Sequence, residues 1–200
     1  MCIRDRSNAV KVEDYYYALV DNYVAGDTVE HKYGFLKFRL DISTDTVTSE
    51  IISINVNSYD SMVTRDYLAP VVNSLETFTV NGKNYIICTM FATNYLQSAT
   101  YHFHATLRQE NDGTFTVVDY VPLGDGCRGV LYYVDPTTCI FLLRNSYAFY
   151  AFDSTSERYV LTHTSPGIYK TIGFDTMNRF YALTTGYAVE MLTYYSPVTL

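Results

Sequence analysis

The chain of 200 residues has no tryptophan, only five prolines and ten glycines, and no apolar run near the ~20 residues a bilayer-spanning helix requires. Helical membrane insertion is therefore not expected. Cations are also few: 14 Lys and Arg stand against 21 Asp and Glu, for a net charge of −7 and a pI near 4.9. No cluster of Lys and Arg is present to replace phosphate counterions, so a nucleic-acid partner is not expected. The four cysteines, Cys2, Cys88, Cys127 and Cys139, show no C-x-x-C spacing, which excludes zinc-ribbon and thioredoxin-type arrangements. In apolar or turn contexts such thiols read as buried or free rather than as a disulfide framework. There is no Asn-x-Ser/Thr sequon, no G-x-S-x-G, no phosphate-cradling Gly-rich loop and no dinucleotide fingerprint. No cofactor is expected. In their place the chain has 21 Tyr and 11 Phe among many Val, Ile and Thr, a composition that favours strands.

The first residues, "MCIRDRS", lack the apolar stretch of a signal peptide. They resemble the conceptual translation of a sequencing-library adapter end. On that reading residues 1–7 are a non-native or unordered tail that packs against nothing, and the natural N-terminus is missing. The compartment stays open, with an extracytoplasmic or cell-surface setting favoured.

Two segments repeat at an offset of forty residues, "VDPTTCIFLLRNSYAFYAF" over 134–152 and "FDTMNRFYALTTGYAVEML" over 174–192. In that register Asp135 meets Asp175, Leu143 meets Leu183, and Tyr147 meets Tyr187. Asp135 and Asp175 are thus expected in equivalent turns, and Leu143 and Leu183 at equivalent buried strand positions. A period of forty is the range of β-propeller blades, each a four-stranded sheet. A second echo pairs "FRLDISTDTV" over 38–47 with "YAFDSTSERY" over 150–159: a strand ending in Asp, a tight turn and a new strand. "NGKN" within "FTVNGKNYIICTMF" marks a hairpin, because Asn-Gly accepts the positive φ angles of a type I′ turn.

These signals predict four blades, about 14–57, 66–122, 127–165 and 167–200, with three, four, four and three strands. The domain would run over 8–200 as part of a larger propeller, with 15–20 and 187–192 less buried than 139–143. A β-sandwich, which has similar strands and turns, is the alternative architecture. The segment "DPTTCIFLLRNSYAFYAFDSTSERYV" resembles the YVTN-type propeller repeat, and "DTMNRFYALTTGYAVEML" is similar. This resemblance implies the propeller fold and no particular activity. WD-repeat, calcium-binding and sialidase signatures are absent; "NDGTF" lacks the Asp-x-Gly spacing of a sialidase Asp-box.

Catalytic constellations are thin. His102 and His104 stand two apart, so on a strand they share a face and both imidazoles could meet one metal. No third ligand stands beside them, and the plainer reading is two histidines on a half-exposed strand with no metal. His31 and His163 stand singly. Asp41 with Asp45, and Asp153 with Glu157, are carboxylate pairs at turns, where they serve turn geometry rather than acid–base chemistry.

Position therefore carries the functional expectation. In a propeller the connections from strand two to three, and from strand four to the next blade, gather at one end. They hold Arg65, Asp66 and Tyr67, then Asn94 and Tyr95, then Asp125 and Arg128, and finally Asn145, Tyr169 and Tyr187. Tyr and Arg in long connections bring contact area and directed hydrogen bonds, although Tyr147 and Tyr187 also suit a role in packing. The expected function is a recognition scaffold for a protein, peptide or glycan. The alternatives are a lactonase-like or lyase-like propeller enzyme with catalytic residues partly in missing blades, and a structural surface-layer or adhesin module.

Overall fold

A computed structural model describes residues 9–22, 32–55, 67–70, 75–94, 99–124, 129–132, 135–167, 169–174, 180–184 and 189–192. The described residues are all-β, with two compact units at 1–125 and 126–200. The first unit contains β1 (Val10–Val12), β2 (Tyr15–Asn22), β3 (Lys32–Asp41), β4 (Thr46–Asn55), β5 (Tyr67–Pro70), β6 (Glu76–Val80), β7 (Lys83–Asn94), β8 (Ala99–Gln109) and β9 (Phe115–Gly124). The second contains β10 (Gly129–Tyr132), β11 (Thr138–Leu142), β12 (Ser146–Asp153), β13 (Arg158–Pro166), β14 (Tyr169–Phe174), β15 (Phe180–Thr184) and β16 (Val189–Leu192).

In the first unit β1–β2–β3–β4 form one antiparallel stack and β6–β7–β8–β9 another. A short parallel pairing of β4 with β9, Ile54 opposite Phe115 and Asn55 opposite Thr116, joins them. Alternate residues of each stack point into a shared core: Val10 and Val12, Tyr17 and Leu19, and Phe35 from one side. Ile86 and Cys88, Phe103, Ala105 and Leu107, and Phe115 and Val117 come from the other. At its centre Phe35 and Phe115 lie edge to face at 5.0 Å, and Tyr17 contacts Phe115 at 5.2 Å. Each fully buried side chain of this size contributes about 1.5–3 kcal/mol of transfer free energy.

The tight turns form where the sequence places them. Val80 pairs with Lys83 around Asn81 and Gly82, whose φ angles of 51° and 72° suit a two-residue hairpin loop. Asp41 and Asp153 end β3 and β12 in matching four-residue loops. Asp45 and Glu157 close these loops at φ 52° and 56°. The equivalence expected between 38–47 and 150–159 therefore holds in backbone geometry.

Four expectations are corrected. The first stack has a fourth strand, β1, because Val10–Lys11–Val12 folds back across a Glu13–Asp14 turn onto β2. The stretch 67–70, read as loop, is strand β5; it lies beside β6 on one edge of β7, opposite 90–93, and Pro70 ends it. Strand β8 is not half-exposed: residues 103–107 are buried on both faces.

The fourth correction concerns the forty-residue repeat, which preserves strand order but not register. Ile140 pairs with Phe149, whereas Phe180 pairs with Leu192, three residues beyond Val189. Likewise Val130 pairs with Phe141, but Tyr181 pairs with Gly173 rather than Lys170. Connection length sets hairpin register. Four residues separate the pair Leu142 and Tyr147, and five separate Leu183 and Val189. Hence Leu143 falls in the turn, its N–H donating to Ser146 O at 2.9 Å, while Leu183 lies within β15. The two leucines are not equivalent. Asp175 and residues 1–8 lie outside the described residues. Strand β2 alternates, with Tyr17 and Leu19 buried beside half-buried Tyr16 and Ala18, whereas residues 139–142 are all buried.

Candidate functional site

In both units the strands run between two chemically different ends. One end holds the tight turns, whose carboxylates are consumed by their own loops. Asp41 Oδ1 accepts from Ser43 N–H at 2.9 Å and from the Ser43 hydroxyl at 2.6 Å. Asp153 accepts from Thr155 N–H at 2.9 Å and the Ser156 hydroxyl at 2.7 Å. Asp112 accepts from Thr114 N–H at 3.0 Å and its hydroxyl at 2.6 Å. Asp135 binds Thr137 in the same way. The hydroxyls first, and the amides with them, hold Asp41, Asp112 and Asp153 below the usual carboxylate range. The carboxylate pairs Asp41/Asp45 and Asp153/Glu157 are thus turn devices, as their sequence context indicates.

The other end is where the candidate residues lie. In the first unit Tyr67 stands opposite Thr93, and Asn94 opposite Ala99, so both come to one end of β7. His102 pairs with Gly124 near the same end. In the second unit Asn145 is exposed in the β11–β12 turn, and its carbonyl accepts from Gly167 N–H at 3.0 Å. Tyr169 begins β14 two residues later, opposite Thr184. The structure therefore brings Tyr67 to Asn94 in one unit and Asn145 to the start of β14 in the other. Arg65, Asp66, Tyr95, Asp125, Arg128 and Tyr187 lie outside the described residues.

Sequence reasoning did not find a buried polar row on β7, β8 and β9. The face of these strands away from the core carries Thr89, His104, Thr106 and Asp119, all buried. Thr89 stands opposite His104, with its hydroxyl 3.4 Å from His104 Nδ1, and Thr106 stands opposite Asp119. Burial drives the His104 pKa down to about 3, so the imidazole is neutral at ordinary pH. The Thr106 hydroxyl has no hydrogen-bond partner among the described residues. In "HFHATL" the alternation of polar and apolar residues signals one wet face; only tertiary packing buries both. Sealed from solvent, His104 does not meet a ligand from bulk water. Among the described residues no group of three or more His, Cys, Asp or Glu is arranged to hold a metal ion. Cys88 and Cys139 are buried and not disulfide-bonded, and burial pushes the Cys88 thiol up to about 12, far from a nucleophile's range.

No protein-family model and no curated protein matches the chain. Among solved structures, hydrazine synthase from Kuenenia stuttgartiensis is similar over 90% of this chain and 55% of its own, at 13% identity and a TM-score of 0.47. This chain thus spans about half the length of that protein. A functionally unknown protein from Desulfotomaculum acetoxidans DSM 771 is similar over 88% of this chain and 67% of its own, at 10% identity and a TM-score of 0.32.

Proposed function

We propose that this chain is part of a β-propeller of YVTN-type repeats. It acts as a recognition scaffold that binds a protein, peptide or glycan through the strand ends and connections that bear Tyr67 and Asn94 in the first unit and Asn145 and Tyr169 in the second. Sequential hairpins support the propeller reading: β1–β4, β6–β9, β10–β13 and β14–β16 each run in chain order, as blades do. The alternative, a sandwich of the immunoglobulin kind, needs Greek-key crossings between its sheets. The observation that carries the functional reading is the contrast between the ends. At one end the Asp side chains are spent on loop amides and hydroxyls. The opposite ends of the strands carry asparagine and tyrosine residues, types that suit directed hydrogen bonding to a ligand.

Screening the intact chain on glycan and peptide arrays tests this reading, followed by titration of any hit against variants. Tyr67→Ala, Asn94→Ala and Asn145→Ala should each weaken binding about tenfold or more, roughly 1.4 kcal/mol or above. Ser43→Ala and Thr155→Ala, at the turn end, should leave it unchanged. Binding that survives all three of the former and fails in the latter would place the ligand at the wrong end and sink the proposal.

A further inference from the structure

The exposed apolar surface of this protein is concentrated on one hairpin. Of six large hydrophobic side chains exposed among the described residues, Leu40, Ile42, Val47 and Ile51 belong to β3, β4 and their turn. Ile42 is 93% exposed, Val47 63% and Ile51 56%. Strand β4 pairs regularly with β3 from Thr46 to Ser53 without a bulge. Its other edge meets β9 only at Ile54 and Asn55. Among the described residues nothing pairs with that edge over 46–52, and residues 46–51 are all exposed.

Sheet edges are usually protected by proline, by unpaired charge or by a bulge. The open stretch 46–52, "TVTSEII", has no proline and no Lys or Arg. Its one charge, Glu50, is already held by Lys37 at 2.9 Å, and that ammonium also sits 4.1 Å from the Tyr15 ring. The contrast is with β13, the exposed outer strand of the second unit. There Val160 and Leu161 are also exposed, but a register shift at Phe149/Tyr150 leaves Thr162 as an extra residue and breaks the edge. Arg158 and His163 add further protection.

We propose that β4 pairs antiparallel with β4 of a second copy of this chain, in the register centred on Ser49. Two independent features select this register. The open stretch 46–52 has Ser49 at its midpoint, so the pairing uses the whole edge and ends before β9 closes it. The same register sets Val47 opposite Ile51 of the second copy, and Ile51 opposite its Val47. Both pairs lie on the face shared with Leu40 and Leu36, so apolar side chains that now face water meet each other. Charge is accommodated as well. Glu50 stands opposite Thr48 of the second copy, and the two Glu50 side chains, on one face of the joined sheet, are diagonal neighbours rather than directly opposed, each held by its own Lys37. One strand pair buries less than the about 1,200 Å² of a standard interface, so the dimer is weak and reversible.

Sedimentation equilibrium of the intact chain from about 1 to 100 μM, with cysteine trapping, tests the proposal. The mass should rise from 22.9 kDa towards twice that value with concentration and stop there. In a background of Cys2→Ser and Cys127→Ser, Ser49→Cys should oxidise to a covalent dimer, because directly opposed strand residues lie about 4.5–5.5 Å apart, within disulfide range. Glu50→Cys should give at least tenfold less, since the two residues are diagonal neighbours about 7–8 Å apart, beyond ordinary disulfide reach. Ile51→Lys should abolish the dimer while leaving the melting temperature within a few degrees. If that variant proves unfolded, the ratio of trapping at positions 49 and 50 decides alone. A chain that stays at 22.9 kDa throughout, open-ended aggregates, or equal trapping at the two positions would each overturn the proposal.

Discussion

Gln109, at the end of β8, donates from Nε2 to the Tyr17 hydroxyl of β2 at 3.2 Å, tying the two stacks of the first unit together across their core. The bond is one link in a chain of side chains. Asn84 Nδ2 donates to Gln109 Oε1 at 3.1 Å and to Glu13 Oε1 at 3.2 Å, while the Thr79 hydroxyl donates to Asn84 Oδ1 at 2.8 Å. Four strands and the β1–β2 turn thereby share one polar network at the turn end. Burial raises the Tyr17 pKa above the usual phenol value, so the hydroxyl stays protonated. Tyr17→Phe should keep the aromatic cluster, strand Gln109 Nε2, and cost about 1 kcal/mol. Tyr17→Ala should cost about 3–5 kcal/mol by opening a cavity between Phe35 and Phe115. Urea denaturation of both variants measures the two effects separately; equal losses would mean that the hydroxyl, not the ring, carries the stabilisation.

His104 makes stability depend on pH. Its folded pKa, about 3, lies below the unfolded value near 6.5. The folded state therefore binds fewer protons than the unfolded chain between these values. The stabilisation is fully present above pH 6.5 and is lost as pH falls towards 3, with a limiting slope of about 1.4 kcal/mol per pH unit. Denaturation of wild type and His104→Gln at pH 7, 6, 5 and 4 should show a flatter profile for the variant. Parallel profiles would mean that His104 accepts its proton without unfolding.

The matching turns at Asp45 and Glu157 place non-glycine residues at positive φ. Such a conformation costs an L-residue about 1–2 kcal/mol, more when the side chain is β-branched. Asp45→Gly and Glu157→Gly should raise the melting temperature or leave it unchanged, whereas Asp45→Val and Glu157→Val should lower it. The two sites should respond alike in thermal melts, because their loops have the same length and the same closing conformation.

Cys88 and Cys139 are buried, and the Cys88 thiol is held far above the range in which it ionises. In the native protein at pH 8 neither should react with a thiol reagent until the surrounding strands open. Mass spectrometry after pulse labelling across a urea series checks this. Labelling of both should track global unfolding, and modification of Cys88 in the absence of denaturant would contradict its place in the core.

Much of the fold was legible in local sequence because its causes are local. The Asn81–Gly82 hairpin, the Asp-led turns at 41 and 153 and the alternation of β7 and β8 each follow from backbone preferences and side-chain spacing within a few residues. The three-residue strand β1 was not legible, since Val10 and Val12 gain their stability from a core shared with β7 and β8. Nor was β5, whose pairing uses the half of β7 that β6 leaves open. Of the candidate residues, Tyr67 stands in a strand rather than in the connection its sequence context predicts, while Asn145 lies in the turn expected of it. The polar row at Thr89, His104 and Thr106 gave no signal, because a strand with one wet face and one with two buried faces share the same alternation.

The sequence alone thus determined that the chain is β, where it turns, and in what order its hairpins follow one another, because period-two patterning and turn chemistry act on neighbouring residues. Tertiary structure decided the rest. The three-residue slip between the repeated hairpins depends on connection length and packing, not on the likeness of their side chains. The burial of His104 depends on what packs over both faces of β8. The open edge of β4 depends on β9 meeting it at Ile54 and Asn55 and no earlier. Each is a relation between segments far apart in the chain, where the free energy lies in a contact and neither segment alone encodes it.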